Sequence, residues 1–437
     1  MSIRTVSVVG LGYIGLPTAA VIAARGVDVI GVDTSARVVE TINRGEIHIV
    51  EPALASAVRE AVITGALRAT TEPQPADVFL VAVPTPITAE KCADLSCVMS
   101  AAAAIAPVLE RGNLVILEST SPVGTTEALC QLLASARPDM RFPARGDSSE
   151  PDVYVAYCPE RVLPGKIVQE LVSNDRAIGG MTASCSAKAA ELYRLFVQGE
   201  LIETDARSAE LCKLAENAYR DVNIAYANEL ANVCETLGMD VWEVIRLANR
   251  HPRVQILNPG PGVGGHCIAV DPWFIAEAAP KETPLIQAAR HVNDERPERV
   301  AQCVIAAARS HASKFGAVPA VALLGLTFKP NIDDLRESPA IEVASILAKA
   351  GGMELLAVEP NVPALPAVLL DAGIKHSTLE AAIKSAEIIV LLVDHSAFLA
   401  TADDLRGKTL IDTRGAWREM QRQSRVKRFD DVEDIIG

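Results

Sequence analysis

A short β-branched run, TVSVV at residues 5–9, leads directly into GLGYIG at 10–15, and no other stretch constrains the fold of this chain so tightly. Glycines at 10, 12 and 15 let the main chain turn sharply from strand to helix and let a ligand approach it closely. The next such run, VDVIGVD at 27–33, ends in Asp33. Strand, glycine turn, helix and a second strand closing on an acid form a βαβ unit carrying both halves of a dinucleotide fingerprint. A pyrophosphate would lie against the helix N-terminus, while the Asp33 carboxylate would bond ribose hydroxyls and repel a 2′-phosphate. NAD rather than NADP is therefore the expected cofactor, and the acid in place disfavours a turn that binds nothing.

Further apolar runs, VFLVAVP at 78–84 and LVILEST at 114–120, end in small polar residues, as strands of a doubly wound sheet do at the ends where ligands collect. From about 205 to 250 the pattern becomes one long helix, with Leu211, Leu214, Ala218 and Val222 at spacings of three and four. A second α/β pattern follows: AVALLGL at 320–326, MELLAVE at 353–359, EIIVLLV at 387–393 and TLIDTRG at 409–415. At 437 residues the chain exceeds what one core supports. The expected class is α/β, with two Rossmann-like doubly wound domains joined by a central helical segment with a long helix. Its boundaries are expected at 1–204, 205–312 and 313–437. The long helix is expected to act as spine and dimer surface, and a cleft between two nucleotide-type folds would suit a ligand with two ends.

A net charge of −14 without a basic run argues against nucleic acid as a partner. An acidic chain can still hold an anionic ligand locally, through backbone N–H groups and a few placed Lys or Arg. The N-terminus enters a strand without the pattern of a secretory signal, and no apolar run reaches the roughly 18 residues of a membrane span. The cytoplasm is the expected location, with no membrane partner. Nine cysteines, an odd number without small-domain spacing, point to thiols rather than a disulfide framework. Cys92 and Cys97 match no zinc spacing, so no metal is expected.

Four further motifs carry chemistry. In PGPGVGGHCIAVDPW at 259–273, Cys267 follows Gly262, Gly264 and Gly265 and precedes Asp271 by four residues, a loop suited to presenting a thiol rather than packing one. Packing as a small apolar group is the competing reading. Lys213 and Asn217, four apart on one helix face, could aim two donors at one oxygen or simply lie on a solvated face. Glu160 and Arg161 in CPERVLPG follow a strand end, where Glu160 steers a water or pairs with Arg161. In FKPNIDDLRESP at 328–339, Lys329, Asp333, Asp334 and Arg336 form either a solvated loop or a phosphate grip by Lys329 and Arg336.

Together with VPTP at 83–86, STSPVGT at 119–125 and IDTRG at 411–415, these motifs, in this order and over nearly the whole chain, resemble the UDP-glucose/GDP-mannose dehydrogenase family of nucleotide-sugar 6-dehydrogenases. The resemblance implies an N-terminal NAD domain, a helical dimer core, a C-terminal UDP-binding domain and a homodimer. It also implies that the C6 alcohol of a UDP-sugar is oxidised to the acid in two hydride transfers to NAD. By resemblance, Cys267 is the nucleophile that traps the aldehyde and Lys213 and Asn217 face the oxyanions. Asp271 positions a water or the lysine, Glu160 is the base for thioester hydrolysis, and Thr120 orients water or the nicotinamide. The division of base roles between Glu160 and Asp271 is open. Cofactor contacts fall by resemblance on Gly10, Gly12, Tyr13, Ile14, Gly15, Asp33, Thr85, Thr120 and Arg336. Substrate contacts fall on Glu160, Arg161, Lys213, Asn217, Arg253, Gly264, Lys329 and Arg414.

Two positions depart from the UDP-glucose members: Val270 replaces a lysine, so no contact of that lysine carries over, and His266 stands where a small or aromatic residue is usual. His266 shapes the sugar pocket or merely fills space. A two-electron β-hydroxyacid dehydrogenase would share the dinucleotide turn and the Lys/Asn pair but need neither Cys267 nor a second α/β domain. A non-catalytic nucleotide-binding scaffold would need none of Lys213, Asn217 and Cys267.

Overall fold

The computed structural model describes residues 3–49, 51, 53–146, 149–163, 165–399, 401 and 405–417. Two compact units emerge, Met1–Glu216 with Trp273–Pro280, and Asn217–Pro272 with Lys281–Gly437. The first is built on β1 (Thr5–Val9), β2 (Asp28–Val32), β3 (Leu67–Thr70), β4 (Val78–Val81), β5 (Leu114–Leu117), β6 (Tyr154–Tyr157), β7 (Arg176–Gly180) and β8 (Leu201–Asp205). They form one sheet in the order β3-β2-β1-β4-β5-β6-β7-β8. β1 pairs in parallel with β2, Thr5 opposite Asp28, and with β4, Val6 opposite Val78. Successive side chains of a strand point to opposite faces, so Val6, Val8 and Leu80 join one apolar core while Val9, Phe79 and Val81 join the other. Burial on both faces explains why these strands are apolar almost throughout rather than alternating.

Strand order reverses between β1 and β4, which opens a crevice beyond their carboxyl ends. The turn after β1 lies there. Gly10 takes φ +93°, a left-handed conformation that glycine adopts without penalty. A Cβ on Gly15 would lie 1.8 Å from the Gly10 carbonyl oxygen, so this turn and the helix Gly15–Ala23 fit only because Gly15 has no side chain. β7 and β8 are not evident as strands in the sequence. β7 runs antiparallel to β6 and ends in Gly179 and Gly180, and β8 is an edge strand that exposes Ile202, Glu203 and Asp205. Charge along an edge blocks further strand pairing.

The second unit repeats the winding with β9 (Ala320–Leu324), β10 (Glu354–Val358), β11 (Lys375–His376), β12 (Ile388–Leu391) and β13 (Thr409–Asp412), in the order β11-β10-β9-β12-β13. All its pairings are parallel. Glu359 follows β10 as Asp33 follows β2, and each carboxylate accepts a backbone N–H from the turn after the first strand. Leu11 donates to Asp33 at 3.1 Å and Leu326 to Glu359 at 2.7 Å. The two crevices nonetheless differ. Glu359 is buried and also bonds His395 Nε2 at 3.0 Å, and Asn361 contacts both side chains, so the second crevice is filled from within.

The helix expected over 205–250 is two. Ala206–Thr236 ends before Gly238, which takes φ +64°, and Val241–Ala248 restarts behind Asp240, whose side chain accepts from Trp242 N at 3.1 Å. On the first of these, Leu214 and Ala218 are buried but Leu211 is exposed. Tyr219, Tyr226 and Val233, seven residues apart, are exposed on one side of it. Among the described residues no helix is long and apolar enough to cross a membrane.

The Gly15 geometry makes a direct prediction. Gly15→Ala should destabilise the first unit by about 1–3 kcal/mol, the usual cost of overpacking, seen as a lower urea midpoint for that unit. An unchanged midpoint would show that the turn relaxes at no cost.

Candidate active site

In the first unit the turn at Gly10–Gly15 and the acid at Asp33 lie side by side. Asp33 Oδ2 accepts from Leu11 N at 3.1 Å and Oδ1 from Ser35 N at 2.9 Å, which fixes the carboxylate at the end of β2 with lone pairs still available. Space beside Gly12 is open, since an added Cβ there would meet nothing within 4 Å. A helix N-terminus, an open glycine and an oriented carboxylate suit the pyrophosphate and ribose of NAD. Tyr13 and Ile14 belong to the same turn. His48, which the sequence reading did not single out, lies beside Asp33: burial lowers its pKa, opposed by the Asp33 charge and by a bond to the Leu11 main chain.

The ends of β4 and β5 are tied together. Thr85 Oγ1 donates to the Thr120 carbonyl at 2.6 Å, and Ser119 Oγ to the Val83 carbonyl at 2.7 Å. The loop that carries Thr120 is closed by Glu210 from the long helix, a fully buried carboxylate accepting from Gly124 N at 2.6 Å, Thr126 N at 2.8 Å and Thr126 Oγ1 at 2.6 Å. Lys213, half-buried, follows one turn later on the same helix.

Glu160 is buried and its two oxygens are both engaged. Oε1 accepts from Arg161 N at 2.6 Å and Oε2 from Arg176 Nη1 at 2.9 Å. Of the two alternatives for Glu160, an ion pair with the Arg161 side chain is not formed, because the Arg161 guanidinium turns to Glu216. Arg176, 1% exposed, is the real partner, and it also lies over the Tyr193 ring at 5.5 Å. Tyr193 Oη donates to Glu118 Oε1 at 2.7 Å. One buried guanidinium thus serves two buried carboxyls. Burial raises the Glu118 carboxyl to about 7, Arg176 opposes that rise and Glu160 adds to it.

In the second unit Cys267 is exposed, on a loop held by contacts that leave no room for side chains. A Cβ on Gly264 would stand 2.3 Å from the Glu337 carbonyl oxygen, and one on Gly265 2.9 Å from the Phe328 ring. The segment 328–339 is therefore the wall on which the thiol loop rests. After the thiol the chain closes a turn, Asp271 N donating to the Cys267 carbonyl at 2.8 Å, and Asn217 Nδ2 donates to Asp271 Oδ2 at 2.5 Å. Asn217, Cys267 and Asp271 are thus brought together, and Asp271, fully buried, fixes which way the Asn217 amide faces.

The remaining substrate candidates of this unit are spread. The Arg336 guanidinium makes a two-point pair with Asp334, 2.8 and 2.6 Å, within the wall segment that also carries Lys329. His266 faces this pair: burial lowers its pKa, as does Arg336, while Asp334 and Glu337 raise it. Arg414 bonds Asp394 at 3.0 Å and lies against Gly260. Arg253 is exposed on the surface of its own unit. Sequence reading missed Arg176 and Glu118, because an isolated Arg in a strand and a Glu within LVILEST gave no spacing signal.

Comparison with known proteins follows this geometry. Three family models match, all of the UDP-glucose/GDP-mannose dehydrogenase family: the NAD binding domain over residues 4–197, the central domain over 207–295 and the UDP binding domain over 322–419. An NDP-N-acetyl-D-galactosaminuronic acid dehydrogenase of Ralstonia nicotianae is 58% identical, covering 95% of this chain and 96% of that protein. The UDP-N-acetyl-D-mannosamine dehydrogenase of Escherichia coli is 54% identical, covering 96% and 100%. Among solved structures, the UDP-D-ManNAc dehydrogenase of Pyrococcus horikoshii superposes with a TM-score of 0.85 at 36% identity, covering 98% of this chain and 100% of that one.

The buried Glu118 carboxyl makes stability depend on pH. Its folded pKa of about 7 exceeds the unfolded 4.5, so the contribution is complete below 4.5 and is lost as pH rises through 7. Urea midpoints at about pH 5 and about pH 8 should fall more for the wild type than for Glu118→Gln, which stays neutral throughout. Equal falls would mean that Glu118 is ionised across the range.

Proposed function

This chain belongs to the UDP-glucose/GDP-mannose dehydrogenase family, and from that premise we propose that it is a UDP-N-acetyl-D-mannosamine 6-dehydrogenase. It is an NAD-dependent nucleotide-sugar dehydrogenase. In our reading the sugar C6 alcohol becomes a carboxylate, with two NAD reduced and one water consumed. The observation that carries this reading is the exposed Cys267 thiol on its fixed loop, with the Asn217 and Asp271 pair at the loop's end.

The Gly10–Gly15 turn and Asp33 would hold NAD, and a separate NAD would supply the hydride acceptor for each of the two oxidations. Oxidation of the alcohol gives an aldehyde, to which the Cys267 thiolate adds, forming a C–S bond and a thiohemiacetal. Loss of the second hydride from that carbon leaves a thioester, and water then displaces the thiolate and releases the acid. An ordinary thiol has a pKa of about 8.5 and is mostly protonated at neutral pH, and favouring the thiolate by its positive charge is a further role that this reading gives to Lys213. Lys213 and Asn217 donate to the oxyanions, where loss of one placed donor costs about 3–4 kcal/mol of barrier. Asp271 orients the Asn217 amide by accepting from it, and Glu160, oriented by its bond from Arg176, is the base for thioester hydrolysis. Thr120 orients the water or the nicotinamide.

For binding, we assign Tyr13, Ile14, Thr85 and Arg336 to the cofactor, and Arg161, Arg253, Gly264, Lys329 and Arg414 to the UDP-sugar. The division into an NAD domain at 1–204, a helical segment at 205–312 and a UDP domain at 313–437 belongs to the same reading, as does a cytoplasmic location, where the thiol stays reduced. A second reading, an N-acetyl-D-galactosamine nucleotide as substrate, is favoured by the 58% identical relative. Purified protein offered UDP-N-acetylmannosamine, UDP-N-acetylgalactosamine, UDP-N-acetylglucosamine and UDP-glucose separately, with NADH absorbance followed, discriminates these. The highest kcat/KM is expected for the first.

Two outcomes test the mechanism and the assembly. Cys267→Ser is expected to bind NAD normally yet stall with an enzyme-bound intermediate, and full uronate production by that variant would rule out the covalent route. The exposed Tyr219, Tyr226 and Val233 are proposed as the surface of a homodimer. Sedimentation should give twice 46.4 kDa for the wild type and a shift toward the monomer for Tyr226→Glu. A monomeric wild type would refute the dimer.

A further inference from the structure

On the helix Ala206–Thr236, Asn217, Asp221, Asn228 and Asn232 follow one another at intervals of four, seven and four residues. At about 100° per residue they lie within roughly 60° of each other around the helix axis. In the second unit this polar stripe meets the helix Pro284–Phe315, which offers Arg290, Asn293 and Arg296. Arg290 Nη1 donates to Asp221 Oδ1 at 2.5 Å, and Asn293 Nδ2 to the same oxygen at 2.8 Å. Asn228 Nδ2 then donates to Asn293 Oδ1 at 2.8 Å. Asp221 and Asn228 are fully buried, and Arg290, Asn293 and Arg296 are at most 3% exposed.

A buried polar ladder between two helices is costly unless its groups find partners, and apolar side chains would fill the same space more easily. Its far end shows what it secures. Gly260 N donates to Asn228 Oδ1 at 2.9 Å, and Arg296 Nε donates to the Gly260 carbonyl at 3.0 Å while Nη1 reaches Asn232. Both polar groups of one peptide residue are thereby gripped by side chains from two helices. Gly260 opens the stretch that leads to Cys267. Two residues on, Gly262 leaves room for Pro297, the residue after Arg296, and for Pro339, each within 3.3 Å of where its Cβ would be. Pro297 has no N–H to give its own helix, so its ring can serve as the surface on which Gly262 rests.

We infer that Asn228 and Arg296 are positioning residues for the Cys267 thiol, acting through the peptide of Gly260. The loop is gripped at its start by Asn228 and at its end, through Asp271, by Asn217, three helical turns apart on the same stripe. One rigid helix thereby sets both ends of an irregular segment, which fixes where the sulfur stands. That this matters for turnover rests on the reading of Cys267 as the nucleophile.

The test uses the full chain and two readouts, one of which needs no substrate. In Asn228→Ala, amide hydrogen exchange in peptides covering 260–271 should rise tenfold or more, with β9 unchanged. The kcat with UDP-N-acetylmannosamine should fall on the order of 10- to 100-fold, as expected for a displaced reacting group, while the KM for NAD changes less than twofold. Asn228→Asp, which keeps an oxygen for Gly260 N–H but loses the donor to Asn293 Oδ1, should show less exchange at 260–271 than Asn228→Ala. If Asn228→Ala does not fold, Arg296→Lys, which keeps the charge but loses the two-point grip, is measured in the same way. Unchanged exchange at 260–271, a rise that includes β9, or failure of both variants to fold would overturn the inference. Full activity in Cys267→Ser would instead defeat the nucleophile reading and leave the exchange result standing.

Discussion

The stretch from Gly260 to Asp271 contains no strand or helix of its own until Asp271 begins one, yet it carries Cys267, the exposed thiol on which the proposed chemistry rests. Its shape comes from contact. Gly262, Gly264 and Gly265 lie so close to Pro339, Glu337 and Phe328 that any side chain would collide, and polar groups grip the loop at both ends. A nucleophile misplaced by about an ångström loses much of the advantage of intramolecular attack, so an irregular loop must take its rigidity from its neighbours. Here they are two long helices and the segment 328–339.

The two sheets show how one winding serves two ends. Each reverses its strand order after the first strand, and each places an acid after the second strand to hold the opening turn. In the first unit the turn is open at Gly12 and the acid keeps lone pairs for a ribose. In the second, Glu359, His395 and Asn361 fill the corresponding crevice themselves, consistent with a sheet that contributes its wall segment and UDP-binding loops rather than a second dinucleotide site. Fold alone did not decide this. The side chains at the strand ends did.

Much of this was legible in the residues. GLGYIG with Asp33 located the first strand, turn and helix, and apolar runs marked the central strands of both sheets, because burial on both faces leaves an unbroken apolar signature. β7 and the edge strand β8 were not legible, since the glycines of the one and the exposed charges of the other resemble loop. The thiol loop stood out through its glycines, but not the reason for each, which lies some seventy residues away in Phe328 and Glu337. Partners of buried charges were equally hidden: Glu160 was read with its neighbour Arg161, yet its charge is met by Arg176 from another strand. The stripe of Asn217, Asp221, Asn228 and Asn232 was visible as a helical spacing, and an apolar-periodicity search passes over it because its residues are polar.

The central claim is that Cys267 holds the sugar through both oxidations so that no aldehyde is released. Its most direct test is the count of NADH formed per UDP-N-acetylmannosamine consumed in a single closed reaction, with an aldehyde trap such as a hydroxylamine present. The account predicts two NADH per sugar and no trapped aldehyde. One NADH per sugar, with the oxime of the sugar C6 aldehyde recovered, would contradict it.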